Sequence, residues 1–242
     1  MNLPPASSRC PQFASYWTQF LASQGTCPIT QDLMDVWSQG RPAYAVWLVR
    51  VRDAAVIERM RLVRAPLEPY LRSDDQRDPH ITLAACGFPC TNAVQEDDFS
   101  EEMFAAQLNR LSDGQLEPFE VEVLGAGSFI ATPFLEVHDT HGRLRVLHDS
   151  LNTWSDVPHV PHVTFGHYGD TVDTQLVAEK LASFRNLPPL RVAVSSISLV
   201  TYDVGSVCGP LTEVCRYDLG SRKLTWLRPF LLGYAAAGST RH

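Results

Sequence analysis

Pro79-His80-Ile81-Thr82-Leu83 returns in this 242-residue chain as Pro161-His162-Val163-Thr164-Phe165. One His-x-Thr is a weak signal. Two copies that share a leading proline and apolar flanks, 82 residues apart, form a constellation. In a strand, residues i and i+2 project from the same face, so His80 and Thr82 point one way while Ile81 and Leu83 bury. The same phase puts His162 and Thr164 together, with Val163 and Phe165 turned inward. Two imidazoles and two hydroxyls converging on one cleft suit a phosphodiester. One imidazole takes a proton from the attacking oxygen while the other protonates the leaving oxygen, both near an unperturbed pKa of about 6.5. The hydroxyls donate to the non-bridging oxygens as charge builds. This design calls for no metal and no other cofactor.

Other residues with chemical potential are less organised. His138-x-x-His141 and the series His159, His162 and His167 have spacings that a metal could use. No carboxylate pattern accompanies them, and His159 is out of strand phase with His162. His167, five residues beyond His162, is expected to face away from the cleft in a regular strand. The six cysteines (Cys10, Cys27, Cys86, Cys90, Cys208 and Cys215) form no Cys-x-x-Cys pair and read as reduced thiols, Cys86 and Cys90 included. Arg72 and Arg77 lie nearest the first motif and are candidates to steer an anion; a solvated helix face accounts for most arginines between Arg41 and Arg77. Tyr44, Trp47, Phe134, Tyr168 and Tyr202 could include a base-stacking platform, with core packing the default for each.

The elements that must position these residues follow from periodicity. Phe13, Tyr16, Trp17, Phe20 and Leu21 fall at helical spacing before Gly25, and a second short helix is expected from the N-cap Thr30 to Gly40. Residues 1–40 thus read as a helical extension, and residues 41–242 as the main domain. Ala45 to Val49 is a buried strand, and Asp53 caps a helix that presents Val56, Met60 and Val63. Ile81 to Ala84 is a strand, followed by a helix from Asp98 to Leu111. Phe119 to Val123 alternates apolar and acidic residues, as a strand with one wet face does. Gly125-Ala126-Gly127 is expected to turn the chain into a partner strand, Phe129 to Val137. The second half repeats the rhythm: a helix carrying Leu144, Leu147 and Leu151, a strand from Val160 to Tyr168, and a helix with Val177, Leu181 and Phe184 aligned. Strands near Leu190 to Tyr202, Glu213 to Leu219 and Leu224 to Leu231 close the chain. Mixed strands and helices with hairpins argue for α+β architecture in two similar lobes.

Composition removes several classes. At 45% hydrophobic and 19% charged residues the chain is long and apolar enough to bury a substantial core, and too apolar to be disordered. No apolar run reaches the length of a bilayer span. Met1 to Arg9 lacks the basic start and apolar core of a signal peptide, so a cytoplasmic location is expected; a monomer is expected as well. The net charge of −7 argues against a broad grip on long nucleic acid and leaves a small anion, or a strand end, held at a local basic spot. Lys180 and Lys223 are the only lysines; arginine is the better bidentate phosphate partner, although genomic base composition produces the same bias.

The paired motifs and the strand order around them resemble the two-histidine (2H) phosphoesterases, which include 2′-5′ RNA ligase-like proteins and 2′,3′-cyclic phosphodiesterases. The similarity runs from about Tyr44 to Leu219 and includes Phe119 to Val123, Gly127-Ser128-Phe129 and the Leu144 to Leu151 helix. It implies a bilobal, pseudo-two-fold α+β fold, with two antiparallel-rich sheets around a central groove and helices outside. It also implies that His80, Thr82, His162 and Thr164 are the catalytic quartet, acting without a metal on RNA ends, cyclic phosphates or 2′-5′ linkages. The residues after each motif depart from the bacterial RNA ligase-like branch: Ala85-Cys86-Gly87 after the first, Gly166-His167-Tyr168 after the second. The expected activity is hydrolysis of a 2′,3′-cyclic phosphate on an RNA end or nucleotide. The alternatives are 2′-5′ ligation or cleavage, a non-catalytic binder of RNA ends or nucleotides, and an interaction module working through the N-terminal helices.

Overall fold

Burial of alternating apolar faces, rather than a single long hydrophobic run, builds the molecule around one sheet. The protein is described by a computed structural model covering residues 11–152 and 159–229. In chain order the elements are α1 (Pro11–Ala22), α2 (Gln31–Ser38), β1 (Ala43–Arg50), α3 (Ala54–Arg64), β2 (His80–Pro89), β3 (Asp98–Phe99), α4 (Glu101–Gly114), β4 (Phe119–Ser128), β5 (Pro133–His138), α5 (Arg143–Leu151), β6 (His162–Thr164), α6 (Thr174–Leu181), β7 (Leu190–Val194), β8 (Ser196–Asp203), β9 (Thr212–Asp218) and β10 (Lys223–Trp226). The strand order is β10-β9-β8-β1-β2-β6-β5-β4-β7, with β3 alongside the end of β2. This is the expected mixed α+β fold. Its two strand sets, β10 to β2 and β6 to β7, meet where Ile81 pairs with Val163, so the two lobes share one continuous ladder.

Local chemistry explains where the helices start. Asp53 accepts from the backbone N–H groups of Ala55 and Val56, and Thr30 accepts from that of Leu33, satisfying donors that a helix N-terminus otherwise leaves open. Leu144, Leu147 and Leu151 of α5 are fully buried on one face, as their spacing requires. Phe13 and Phe20 of α1 are also buried, and Phe20 belongs to the main core. No helix among the described residues is long and apolar enough to cross a membrane.

Three boundaries differ from the sequence expectation. Gly125, Ala126 and Gly127 do not turn the chain. They continue β4, whose pairing to β5 shifts between Val123 and Ala126, and the turn falls at Phe129 to Thr132. Glycine serves there for close approach: a Cβ on Gly125 would collide with the carbonyl of Arg185. Helix α4 begins at Glu101 under the hydroxyl of Ser100, because the Asp98 carboxylate is engaged by the N–H groups of Val94 and Gln95 and by Arg41. β6 spans only His162–Thr164, not residues 160–168, since Gly166 and His167 leave the ladder to meet the segment after α3. Residues 230 and 231 of the last expected strand, Cys10, and the start of the N-terminal extension lie outside the described residues.

Candidate active site

The pairing of Ile81 with Val163 sets the geometry. β2 and β6 are antiparallel neighbours, so that register brings His80 level with Thr164 and Thr82 level with His162. Each histidine therefore stands beside the threonine of the other motif. Ile81, Leu83, Val163 and Phe165 are buried, as the strand phase requires. The four polar side chains line one cavity of about 330 Å³ together with Arg61, Arg64, Arg77 and His167. The structure thus brings all four predicted site residues together.

The two imidazoles are held alike. His80 Nδ1 donates to the carbonyl of Asp78 at 2.7 Å, and His162 Nδ1 donates to the carbonyl of Val160 at 2.7 Å. A carbonyl only accepts, so each ring carries its proton on Nδ1 and leaves Nε2 to exchange one. The ring of His162 rests against Phe129 and Phe134, with centroids 5.0 and 5.4 Å away. Burial lowers its pKa to about 4, against the pull of the Val160 carbonyl and with added repulsion from His80. Burial also lowers the pKa of His80; the Asp78 carbonyl opposes the shift, and Arg77, His167 and Arg50 reinforce it. Both rings are held towards the neutral form, and a bound anion supplies the charge that favours protonating one of them.

The expected basic spot is only partly where the sequence placed it. Arg77 faces the cavity: its guanidinium lies 4.5 Å over the Tyr202 ring and donates to the carbonyl of Val207 at 2.9 Å, while its Nε is buried without a hydrogen-bond partner. Arg72 pairs with Asp74 instead and is not a cavity-lining residue. Arg64, reached from α3, donates to the carbonyl of Phe165 at 3.1 Å and pairs with Glu68. Nothing in its sequence spacing marked it, because helix and motif meet only in the fold.

His167 corrects the strand-phase expectation. It does not face away; β6 ends at Thr164, and the chain beyond returns His167 to the cavity wall. Its Nδ1 lies 2.8 Å from Oδ2 of Asp75, both side chains nearly buried. Although burial works against it, this hydrogen bond and the adjacent charge hold the Asp75 carboxyl below its ordinary range. Cys208 joins them, and donor atoms of Asp75, His167 and Cys208 lie within 4.8 Å of one another. That is the grouping among the described residues with the donor set to hold a cation. Cys86 and Cys90 are free thiols outside it.

A second cavity, about 500 Å³, adjoins the first and shares Thr82 and His162 with it. Tyr16, Trp37, Tyr44 and Phe129 line it, with Asp97, His148 and His159. His148 and His159 stack at 4.6 Å with their planes 10° apart. Of the aromatic candidates only Tyr44 lines this cavity. Trp47, Phe134 and Tyr168 are core residues, and Tyr202 packs between Tyr44 and Arg77. Tyr16, Trp37, Phe129 and His148 carried no site signal in the sequence.

Residues 49–206, more than half of the chain, match the family described as the 2′-5′ RNA ligase superfamily. No curated protein matches the chain. Among solved structures it is similar to Escherichia coli LigT in apo form, at 18% identity over 74% of this chain and 98% of that one, with a TM-score of 0.48. It is also similar to TT0787 of Thermus thermophilus, at 18% identity over 73% of this chain and 97% of that one, TM-score 0.47. The E. coli protein complexed with 3′-AMP gives 18% identity, coverages of 73% and 98%, and a TM-score of 0.47.

Proposed function

This chain belongs to the 2′-5′ RNA ligase superfamily, the two-histidine phosphoesterases, and from that premise we propose that it is a metal-independent hydrolase of 2′,3′-cyclic phosphates on RNA ends or nucleotides. One observation carries the reading. Two imidazoles on adjacent central strands each have Nδ1–H committed to a backbone carbonyl and Nε2 left for proton exchange, in a cavity that also holds two hydroxyls and three arginines.

The mechanism has His162 as base and His80 as acid. His162 Nε2 takes a proton from water as its oxygen bonds to phosphorus. The bond from phosphorus to one ribose oxygen breaks, and that oxygen leaves with a proton from Nε2 of His80. Thr82 and Thr164 donate to the non-bridging oxygens, whose charge grows in the transition state. A depressed pKa suits His162 for the base role, since the ring is unprotonated and ready at neutral pH. In the reverse direction the roles exchange, and the same residues join a 2′-hydroxyl to a phosphate.

The test is turnover of 2′,3′-cyclic nucleotides in the presence of EDTA. His80→Ala and His162→Ala are each expected to lower kcat by about two to four orders of magnitude. Retained activity in either variant, or loss of wild-type activity on chelation, overturns the reading. Nucleotide binding with no turnover favours the non-catalytic binder, and products joined through 2′-5′ linkages favour ligation.

A further inference from the structure

Asp75, His167 and Cys208 come from three segments far apart in sequence, and the fold seats their side chains together beside the cavity of the paired motifs. Main-chain hydrogen bonds fix each segment. The N–H of Arg72 donates to the carbonyl of His167 at 2.9 Å, and the N–H of Gly169 donates to that of Tyr70 at 2.9 Å. The N–H of Gln76 donates to the carbonyl of Cys208 at 2.9 Å. The carboxylate of Asp75 is anchored through both oxygens: Oδ1 accepts from the N–H of Arg77 at 3.2 Å, and Oδ2 meets His167 Nδ1 at 2.8 Å. The trio is thus oriented by groups outside it, as the ligands of a metal are.

Access decides what such a trio can take. Asp75 and His167 line the cavity, whereas Cys208 is 3% exposed and is not one of its lining residues. A thiol that a substrate cannot reach is no nucleophile; a single ion entering by way of the cavity can reach it. Thiolate, imidazole and carboxylate are together the donors of zinc-class cations. With bonds of about 2.0–2.3 Å, donors around a four-coordinate zinc stand about 3.3–3.7 Å apart. The spacing here brackets that range: 2.8 Å between Asp75 and His167, and within 4.8 Å for the whole set. Charge matches as well. A dication that replaces the thiol proton meets one thiolate and one carboxylate, so the loaded trio is neutral. The nearby guanidinium groups are engaged elsewhere, Arg72 with Asp74 and Arg77 with the Tyr202 ring and the carbonyl of Val207.

We propose that Asp75, His167 and Cys208 form a site for one zinc-class divalent cation, with a fourth position that water fills from the cavity. On binding, the thiol proton leaves to solvent, and the imidazole ligates through one nitrogen while keeping its proton on the other. His80 and His162 give nothing to this site, since their Nδ1–H groups are spent on the carbonyls of Asp78 and Val160. The cation site therefore stands or falls separately from the hydrolase reading.

The experiment titrates the metal-stripped full chain with Co(II), and with zinc in the presence of a competing chelator. Wild type is expected to take up one equivalent of Co(II) with the near-ultraviolet charge-transfer band of a cobalt–thiolate bond. Cys208→Ser is expected to lose that band and to bind zinc about 100-fold more weakly, and His167→Gln and Asp75→Asn to weaken zinc by about tenfold or more. Cys27→Ser and Cys90→Ser remove thiols outside the trio and are expected to keep both signals. A wild type without the thiolate band overturns the proposal, as does a band that survives Cys208→Ser or disappears in Cys27→Ser or Cys90→Ser. Circular dichroism without metal identifies any loss caused by unfolding, and Cys208→Ala replaces the serine variant if that one does not fold. Turnover of 2′,3′-cyclic nucleotides in EDTA separates the two readings. A wild type that binds cobalt through Cys208 and hydrolyses nothing keeps the cation site and loses the hydrolase; one that hydrolyses in EDTA and shows no thiolate band does the reverse.

Discussion

At the scale of single residues, the imidazole of His162 is tuned by what surrounds it more than by its charge neighbours. Phe129 and Phe134 exclude water from one side of the ring, and desolvation is the leading cause of its depressed pKa. Phe129→Ala lets water reach the ring, so the acidic limb of the kcat/KM profile is expected to move to higher pH, towards about 6.5. A limb that stays in place contradicts His162 as the titrating base. Stability follows with a definite sign. The unfolded chain binds this proton near about pH 6.5 while the folded ring waits until about 4, so acidification across that window favours unfolding. Chemical denaturation at pH 7 and pH 5 is expected to show wild type losing more stability than His162→Asn, which has no such proton to bind.

At the scale of elements, β4 and β5 carry two constraints that a hairpin pattern does not announce. Gly125 lies where β4 passes the backbone of Arg185, so Gly125→Ala forces a backbone shift costing about 1–3 kcal/mol, read as a fall of several degrees in Tm. Glu136 on β5 pairs in register with His162 and is almost fully buried. Burial raises its pKa to about 7, and Arg185 only partly offsets the shift. A carboxyl with a raised folded pKa stabilises the fold at low pH, and that contribution is lost as pH rises from about 4.3 through 7. Glu136→Gln is therefore expected to melt above wild type at pH 8, with the gap closing at pH 5. A gap independent of pH removes ionisation of Glu136 as the cause.

At the scale of the whole molecule, the N-terminal helices are packed into the same core as the sheet. Phe20 lies in the main cluster, Phe13 packs on Phe134 at 5.5 Å, and Thr26 is hydrogen-bonded to the segment before α6. Deleting residues 1–40 uncovers β4 and α6, and the truncated chain is expected to melt well below the full chain or to aggregate. A fully folded truncation with wild-type Tm would show that the extension is an independent appendage. The net negative charge is a whole-molecule property too, and Arg61, Arg64 and Arg77 share the cavity wall with Asp75 and Asp78, so any positive field there is confined to the cavity. Steering of an anion is thus short-ranged and weakened by salt.

The sequence by itself indicated most of the elements and singled out four side chains that the fold brings to one cavity. His80, Thr82, His162 and Thr164 were legible because strand phase is a local rule, and the repeat of the motif carried the information that they belong together. Asp53 and Thr30 as caps, and the stripe Leu144, Leu147 and Leu151, were legible for the same local reason. Only the tertiary structure decided the rest. The pairing of Ile81 with Val163 sets each histidine beside the other motif's threonine, and no spacing within one segment encodes a register between two. His167 returned to the cavity because its strand stopped after three residues, where continuing alternation would have turned it away. Arg64, Tyr16 and Trp37 reach the site from helices whose own periodicity explains them as surface or packing residues. Their placement depends on which helix lies over which strand, and that is fixed by long-range burial.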